Sequence, residues 1–367
     1  MKKLLSFGLA LCLLLTIGVA EVIGHHHQTT LTLYSQEDLV SQRVLNAFTK
    51  ETGISVEYCL LGSDKAAGDP TGCDLLLADT EVLQELLAED QLAELDESLL
   101  EQRATIDEAY LGLAFDPDNR YTAPALWTTM GLLYSPARTD TRVTGWVNLF
   151  DGRLEGQILM PSDSRTAFSV ALAALGLDVN TQQSEDIAAA ASYLTQQQPQ
   201  VAAYCAQEQL EAAFASGKAV LAPCCAGSAI EIMAKLPELS FVIPSEGSWR
   251  TLYSYAIPAA SQQQEAAHAL LDFLCRKENL AKNAAYSGYS TPSAEAYDLL
   301  DSAWQSNPLA YPDPEQVGQF PILLGQTEQL RAERQVRWLL IQESMELETT
   351  AQHRDELVPE SHTNQEE

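Results

Sequence analysis

The chain has 367 residues, of which 46% are hydrophobic and 20% charged, and its 51 Asp and Glu outnumber 21 Lys and Arg for a formal charge of −30. That apolar content at this length builds two lobes of ordinary size, each with its own core, and excludes a chain that is disordered throughout. The negative surface repels nucleic acid and anionic lipid and attracts cationic solutes, with the plain acidity of many soluble exported proteins as the alternative reading.

Lys2 and Lys3 precede an uncharged apolar run over 4–20 that ends in Gly18-Val19-Ala20, small residues where a signal peptidase reads. This predicts a secretory signal over 1–20 and a mature chain starting near Glu21. A retained anchor is the alternative, since the run is just short of a full span. Cys12 lies mid-run behind Leu11, where a lipid-attachment motif needs a small residue, so it is not read as lipidated. His25, His26 and His27 read as a linker, with metal binding the lesser alternative.

Leu31 to Tyr34 reads as a buried strand. A helix follows, with Leu39, Val40, Val44, Leu45 and Phe48 on its apolar face and Gly53 closing it. Strands follow over 54–61 and 74–78, the second without polar alternation, as when both faces are covered. The turn residues Phe115-Asp116-Pro117-Asp118-Asn119 precede a second run of the same rhythm. Its strands lie over 156–160, 201–205 and 219–222, and its helices over 167–175, 207–216 and 228–235. Alternating strands and helices in both halves predict mostly parallel sheets flanked by helices, an α/β fold. Residues 196–200 and 262–264 are polar loops, and 343–367 is expected to be a disordered acidic tail.

An exported chain meets an oxidising compartment, and the six cysteines after Cys12 form an even set that allows fifteen full pairings. A bridge from Cys59 to Cys73 is expected across a short connection holding Gly62, Gly68, Pro70 and Gly72. A second is expected from Cys205 to Cys224 or Cys225, leaving Cys275 free. A thiolate metal site at Cys205, Cys224 and Cys225 is the alternative. No Gly-rich phosphate loop, His-Glu-x-x-His or Gly-x-Ser-x-Gly occurs, and only six histidines are present, so a nucleophile–histidine pair is poorly supplied. No enzyme active site, cofactor or resident metal is therefore expected. A paired-carboxylate hydrolase has acids to draw on, but nothing in the sequence locates one.

Several segments, in one order over roughly 30 to 330, resemble the periplasmic polyamine-binding proteins of ABC transporters, the spermidine/putrescine receptors. They are Phe48-Thr49-Lys50-Glu51-Thr52-Gly53-Ile54, Cys73-Asp74-Leu75-Leu76-Leu77, the 115–119 turn and Tyr121-Thr122-Ala123-Pro124-Ala125-Leu126-Trp127. Val143-Thr144-Gly145-Trp146, Gly227-Ser228-Ala229, Ala256-Ile257-Pro258-Ala259, Gly288-Tyr289-Ser290-Thr291-Pro292 and Tyr311-Pro312-Asp313 complete the set. The resemblance implies a two-lobed periplasmic binding protein fold of type II, with crossing hinge strands over 128–135 and 253–259. Lobe one would be discontinuous, 29–130 with 258–300. Lobe two would be 131–257, with a helical segment over 301–342 packed across both. It further implies a monomer that carries a small cation such as putrescine or spermidine to ABC permease subunits. A drifted member acting as a ligand sensor or a thiol- or metal-binding protein is the alternative.

In that family aromatic rings hold the ligand's methylene chain and carboxylates hold its ammonium groups. Here the corresponding positions are Gln36 and Leu39, Asp79 and Glu81, Thr166, Cys225, Thr251 and Tyr253, with Asp163 retained. The resemblance therefore nominates Asp163, Asp79, Asp38 and Ser35 at strand ends, Tyr253, and Trp249 two residues back on the same strand face. Asp163, Asp79 and Asp38 are equally placed to cap helices, and Tyr253 to pack. Trp127 and Trp146 are read as core.

Overall fold

The apolar strand runs are buried: Leu75, Leu76 and Leu77, which alternate between the two faces of their strand, have no exposed surface, nor do Leu31 and Leu33 on one face of theirs. The computed structural model describes residues 29–61 and 69–356, with side chains as far as Met345. The signal over 1–20, Cys12 and His25 to His27 lie outside those residues. The strands are β1 (Thr30–Ser35), β2 (Ser55–Leu60), β3 (Leu75–Asp79), β4 (Ala123–Tyr134), β5 (Ile158–Pro161), β6 (Val201–Cys205), β7 (Leu221–Cys225), β8 (Ser240–Val242) and β9 (Arg250–Ala256). The helices are α1 (Gln42–Thr52), α2 (Thr80–Ala88), α3 (Ser164–Ala174), α4 (Ser184–Gln197), α5 (Leu210–Ala215), α6 (Ala226–Lys235), α7 (Gln264–Leu274), α8 (Lys277–Ser287), α9 (Ala294–Tyr297), α10 (Ser302–Gln305), α11 (Pro314–Val317) and α12 (Glu328–Glu356).

Strand order is β2-β1-β3-β9-β4-β7-β5-β6, with β8 also on β4. β1 runs parallel to β2 and β3, and β5 parallel to β6 and β7. Between the two parallel groups lie β4 and β9, antiparallel to each other and to β7 and β3. β4 changes partner along its length: 123–129 pairs with β9 and 130–134 with β7. One strand thus belongs to both groups, the crossing expected near 128–135. The second crossing strand, expected over 253–259, begins three residues earlier, at Arg250.

Differences at element ends have local causes. α1 starts only at Gln42, capped by the Ser41 side chain, and Gly53 ends it at a φ of 78°. Leu39 and Val40 precede the helix yet remain core, and both of their amides donate to the Tyr58 hydroxyl. β7 lies later than the expected 219–222 because β4 continues opposite it as far as the Met130–Cys225 pair. The expected tail is helical over 343–356 as the end of α12. Glu, Gln, Leu, Met and Ala there are good helix formers, and Trp338 and Ile341 upstream anchor the helix in the core. Trp338 packs edge-on against Phe168 and Tyr204, with centroids 6.3 and 4.9 Å away, and donates its indole N–H to the Ser162 carbonyl.

Gly227 opens α6 where two backbones meet. A Cβ there would lie 2.2 Å from Tyr289 Cδ1 and 3.2 Å from the Gly288 carbonyl oxygen. Gly288, at a φ of 81°, ends α8 and turns the chain into Tyr289. Gly227→Ala is expected to destabilise the protein by about 1–3 kcal/mol through overpacking, and to displace the Tyr289 ring. Thermal melting checks the first effect. An unchanged melting temperature would mean that the ring moves aside freely.

Candidate functional site

Open α/β sheets offer binding crevices beyond the carboxyl ends of their parallel strands. A cleft of about 870 Å³ lies there, where residues just after β1, β3, β5, β6 and β7 meet β9 and α12. Its lining is rich in acids: Glu37, Asp79, Glu81, Glu85, Asp163 and Glu208.

Glu37 follows β1 by two residues. Tyr253 of β9 donates its hydroxyl to Glu37 Oε1 at 2.6 Å, and the Tyr289 hydroxyl donates to Oε2. Burial pushes the Glu37 carboxyl above its ordinary range; the two phenol hydrogen bonds pull it back, and Glu208 and Asp163 add repulsion. The Tyr253 and Tyr289 rings meet edge to face at 5.7 Å. The Tyr289 hydroxyl is also 3.2 Å from Cys225 Sγ. Cys225 caps α6 and receives the Ser228 amide and the Gln207 side-chain amide. Burial, with Glu37 adding to it, pushes this thiol up.

Asp79 caps α2. Its Oδ1 accepts the Glu81 and Val82 amides at 2.9 and 3.1 Å, and Gln36 Nε2 donates to Oδ2 at 3.3 Å. Burial raises this carboxyl to about 6, against the hydrogen bond from Val82 and with repulsion from Glu81. Asp163 caps α3, taking the Thr166 amide at 2.7 Å. Two acids differ from the others because arginines already hold them: Glu85 lies 2.7 Å from Arg331 Nη1, and Glu81 takes two guanidiniums. Arg334 Nη2 is 2.5 Å from Oε1, and Arg165 Nε is 3.6 Å from Oε2. Burial lowers Arg165 to about 10, opposed by Glu81 and reinforced by Arg334.

Of the nominated residues, Asp163, Asp79 and Tyr253 face the cleft together, alongside the divergent positions Gln36, Glu81, Thr166, Cys225 and Thr251. Three lie elsewhere. Ser35 is buried, and its hydroxyl donates to the Glu37 carbonyl, shaping the turn that presents Glu37. Asp38 is exposed and accepts the Tyr286 hydroxyl at 2.7 Å. Trp249 is fully buried, stacked on Trp146 at 5.3 Å, because it lies just before β9 and its ring enters the core. Glu37 was not among the expected residues. Its signal was positional: a carboxylate just beyond the first parallel strand.

The expected bridges are absent: Cys59, Cys73, Cys205, Cys224, Cys225 and Cys275 are all free thiols. Sheet order explains this. Cys59 on β2 pairs with Tyr34 of β1, whereas Cys73 leads into β3 on the other side of β1. Two strand spacings are roughly 9–10 Å, beyond a disulfide's reach. β5 separates Cys205 on β6 from Cys224 and Cys225 on β7 in the same way. Among the described residues no three His, Cys, Asp or Glu gather to hold a metal. Thiol titration of unfolded, unreduced protein spanning residues 21–367 is expected to count six thiols; four or two would show that bridges form.

Among the described residues no helix is long and apolar enough to cross a membrane. The family described as bacterial extracellular solute-binding protein matches residues 44–312. The chain is 30% identical over 295 residues to the spermidine/putrescine-binding periplasmic protein of Escherichia coli (strain K12), covering 78% of this chain and 84% of that one. It is 28% identical over 360 residues to a putrescine/agmatine-binding protein of Pseudomonas aeruginosa, covering 91% and 96%. The solved structure of a spermidine/putrescine ABC transporter substrate-binding protein from Streptococcus pneumoniae superimposes with a TM-score of 0.74 at 24% identity, over 86% of this chain and 99% of that one. That likeness carries the fold: two lobes, each with a mostly parallel sheet.

Proposed function

The chain belongs to the bacterial extracellular solute-binding protein family, and on that premise we propose that it is an exported receptor that binds a small polyamine-like cation and passes it to the permease of an ABC importer. The observation that carries the reading is Glu37. It is a carboxylate facing the cleft, held by two phenol hydroxyls and, among the described residues, by no ion pair. Such a group attracts an ammonium that can share its hydrogen bonds. Asp79, Asp163 and Glu208 line the same cleft and extend the negative field. Tyr253 and Tyr289 offer aromatic faces for the methylenes beside an ammonium.

The relatives named above support the same reading, since their names give putrescine, spermidine or agmatine as ligands. Residues 29–130 with 258–300 form one lobe in this reading and 131–257 the other, hinging at β4 and β9. The protein is a monomer without turnover, secreted to the periplasm by its first 20 residues. Several aromatic positions are lost, each worth about 0.5–2 kcal/mol. A long polyamine loses more by this than a short one, so putrescine is expected to bind more tightly than spermidine. Calorimetry with putrescine, spermidine and the neutral diol of putrescine's length tests the reading. Putrescine binding without diol binding supports it. Failure of both amines, or equal binding of the diol, overturns it.

A further inference from the structure

The six carboxylates of the cleft differ in what already sits on them. Glu37, Asp79 and Asp163 take their hydrogen bonds from neutral groups. Glu81 carries two guanidinium groups, and the closer one comes from α12. Arg334 is 3% exposed. It reaches Glu81 through Nη2, Gln326 Oε1 through Nη1 at 2.7 Å, and Ser164 Oγ through Nε at 3.2 Å. Glu81, Ser164, Arg165 and Arg334 all line the cleft. An arginine side chain is an alkyl stem ending in a fixed cation, and it shares that plan, though not the head group, with the terminal arm of an alkylamine.

We propose that Arg334 is a specificity-determining residue, a tethered cation that occupies the Glu81 end of the cleft and limits the ligand to a short diamine. The proposal rests on the reading of the cleft as a cation site and adds its length limit. A putrescine-sized ligand satisfies Glu37 at one end and the Asp163 side of the cleft at the other. The added aminopropyl arm of spermidine brings a further ammonium that needs another carboxylate, but at that end Glu81 is already spanned by two guanidiniums and Glu85 is paired with Arg331 at 2.7 Å. One carboxylate between two guanidiniums leaves a net positive charge there, which repels an incoming ammonium inside a partly desolvated cleft. Loss of aromatic faces weakens polyamines generally, whereas this device discriminates by length and works through one removable residue.

The experiment is calorimetric titration of wild type, Arg334→Lys, Arg334→Gln and Arg334→Gln/Glu81→Gln with spermidine and putrescine, read as the ratio of the two affinities. Arg334→Gln is expected to raise the spermidine-to-putrescine ratio at least tenfold. Arg334→Lys is expected to keep the wild-type ratio. The double variant is expected to lose the gain, because the freed Glu81 carboxylate is what holds the extra ammonium. An unchanged ratio in folded Arg334→Gln, or a gain that survives in the double variant, overturns the proposal. Should Arg334→Gln fail to fold, Glu81→Gln alone decides. Its two uncompensated guanidiniums should lower the ratio further, and an unchanged ratio overturns the proposal. Wild type that binds neither amine brings down the cation-site reading itself. Wild type that binds putrescine with an unresponsive ratio brings down the length limit alone.

Discussion

Glu37→Gln is expected to weaken putrescine binding at least about 100-fold, roughly 2.7 kcal/mol, while the empty protein melts at the same temperature or higher. The amide keeps the shape of the carboxylate and one acceptor, so Tyr253 retains its hydrogen bond. Tyr289 can turn its hydroxyl toward Cys225 Sγ, 3.2 Å away, and accept from the new amide. What disappears is the charge, and a buried charge without a counterion costs the empty fold stability. Binding and stability therefore respond in opposite senses, which separates a ligand group from a structural one. Asp163→Asn is expected to cost less, because Asp163 is exposed at a helix start and Asn caps equally well. Calorimetry and thermal melting on the two variants give the comparison. Glu37→Gln binding within fivefold of wild type would remove Glu37 from the site.

Acidification should split the behaviour of empty and loaded protein in the same way. Asp79 is raised from its ordinary 3.8 to about 6, chiefly by burial, and Glu37 is raised as well. A carboxyl with a raised folded value is a cost to the fold when charged. From Asp79, stability of the empty protein rises as pH falls through about 6 toward 4. Cation binding needs the charged form, so it is lost over the same window. With a midpoint near 6, the charged fraction of Asp79 falls about tenfold between pH 7.5 and 5, and affinity should fall at least as far. The groups facing these carboxyls are Glu81, Gln36, Tyr253 and the Arg165 guanidinium at Asp79, and Tyr253, Tyr289, Asp163, Glu208 and Cys225 at Glu37. Arg165 is the one cation among them, and it is already paired with Glu81. The putrescine-induced rise in melting temperature should therefore shrink from pH 7.5 to 5, while Asp79→Asn, which keeps the helix cap, flattens part of the trend. A ligand-induced rise as large at pH 5 as at 7.5 would refute the linkage.

The parts of the fold that were legible in the sequence are those set by local pattern. The short buried run from Leu31 to Tyr34 gave β1, the unbroken apolar run from Leu75 to Ala78 gave β3, the spacing of Val44, Leu45 and Phe48 gave α1, and Gly53 marked its end. Asp79 and Asp163 were legible as acids just after strands, though the sequence could not choose between capping a helix and facing a ligand. In the structure both do the first and line the cleft. The disulfides failed for a reason no spacing reveals. Cys59 and Cys73 are near in sequence but stand on opposite sides of β1, and sheet order is a tertiary fact. Trp249 failed similarly, because only the packed molecule shows its ring against Trp146. Residues 343–356 read as tail from their charge, yet the helix is fixed upstream by Trp338 and Ile341. Glu37 and Arg334 carry no motif. Their importance comes from Tyr253, Tyr289 and Glu81, which are distant in the chain and meet only across the cleft.

The change of partner along β4 has a mechanical consequence. Its register passes from β9 to β7 between Thr129 and Met130, so the chain there acts as the fulcrum of a lever whose arm is a stack of strands. β2 is four strand spacings from β4, about 19 Å. A rotation of about 20° at the fulcrum, the size of the natural twist between neighbouring strands, sweeps β2 through an arc of about 7 Å. No strand pairing within either parallel group need break for that to happen. Travel of this size at the rim requires only a small torsion spread over the two strands that the halves share.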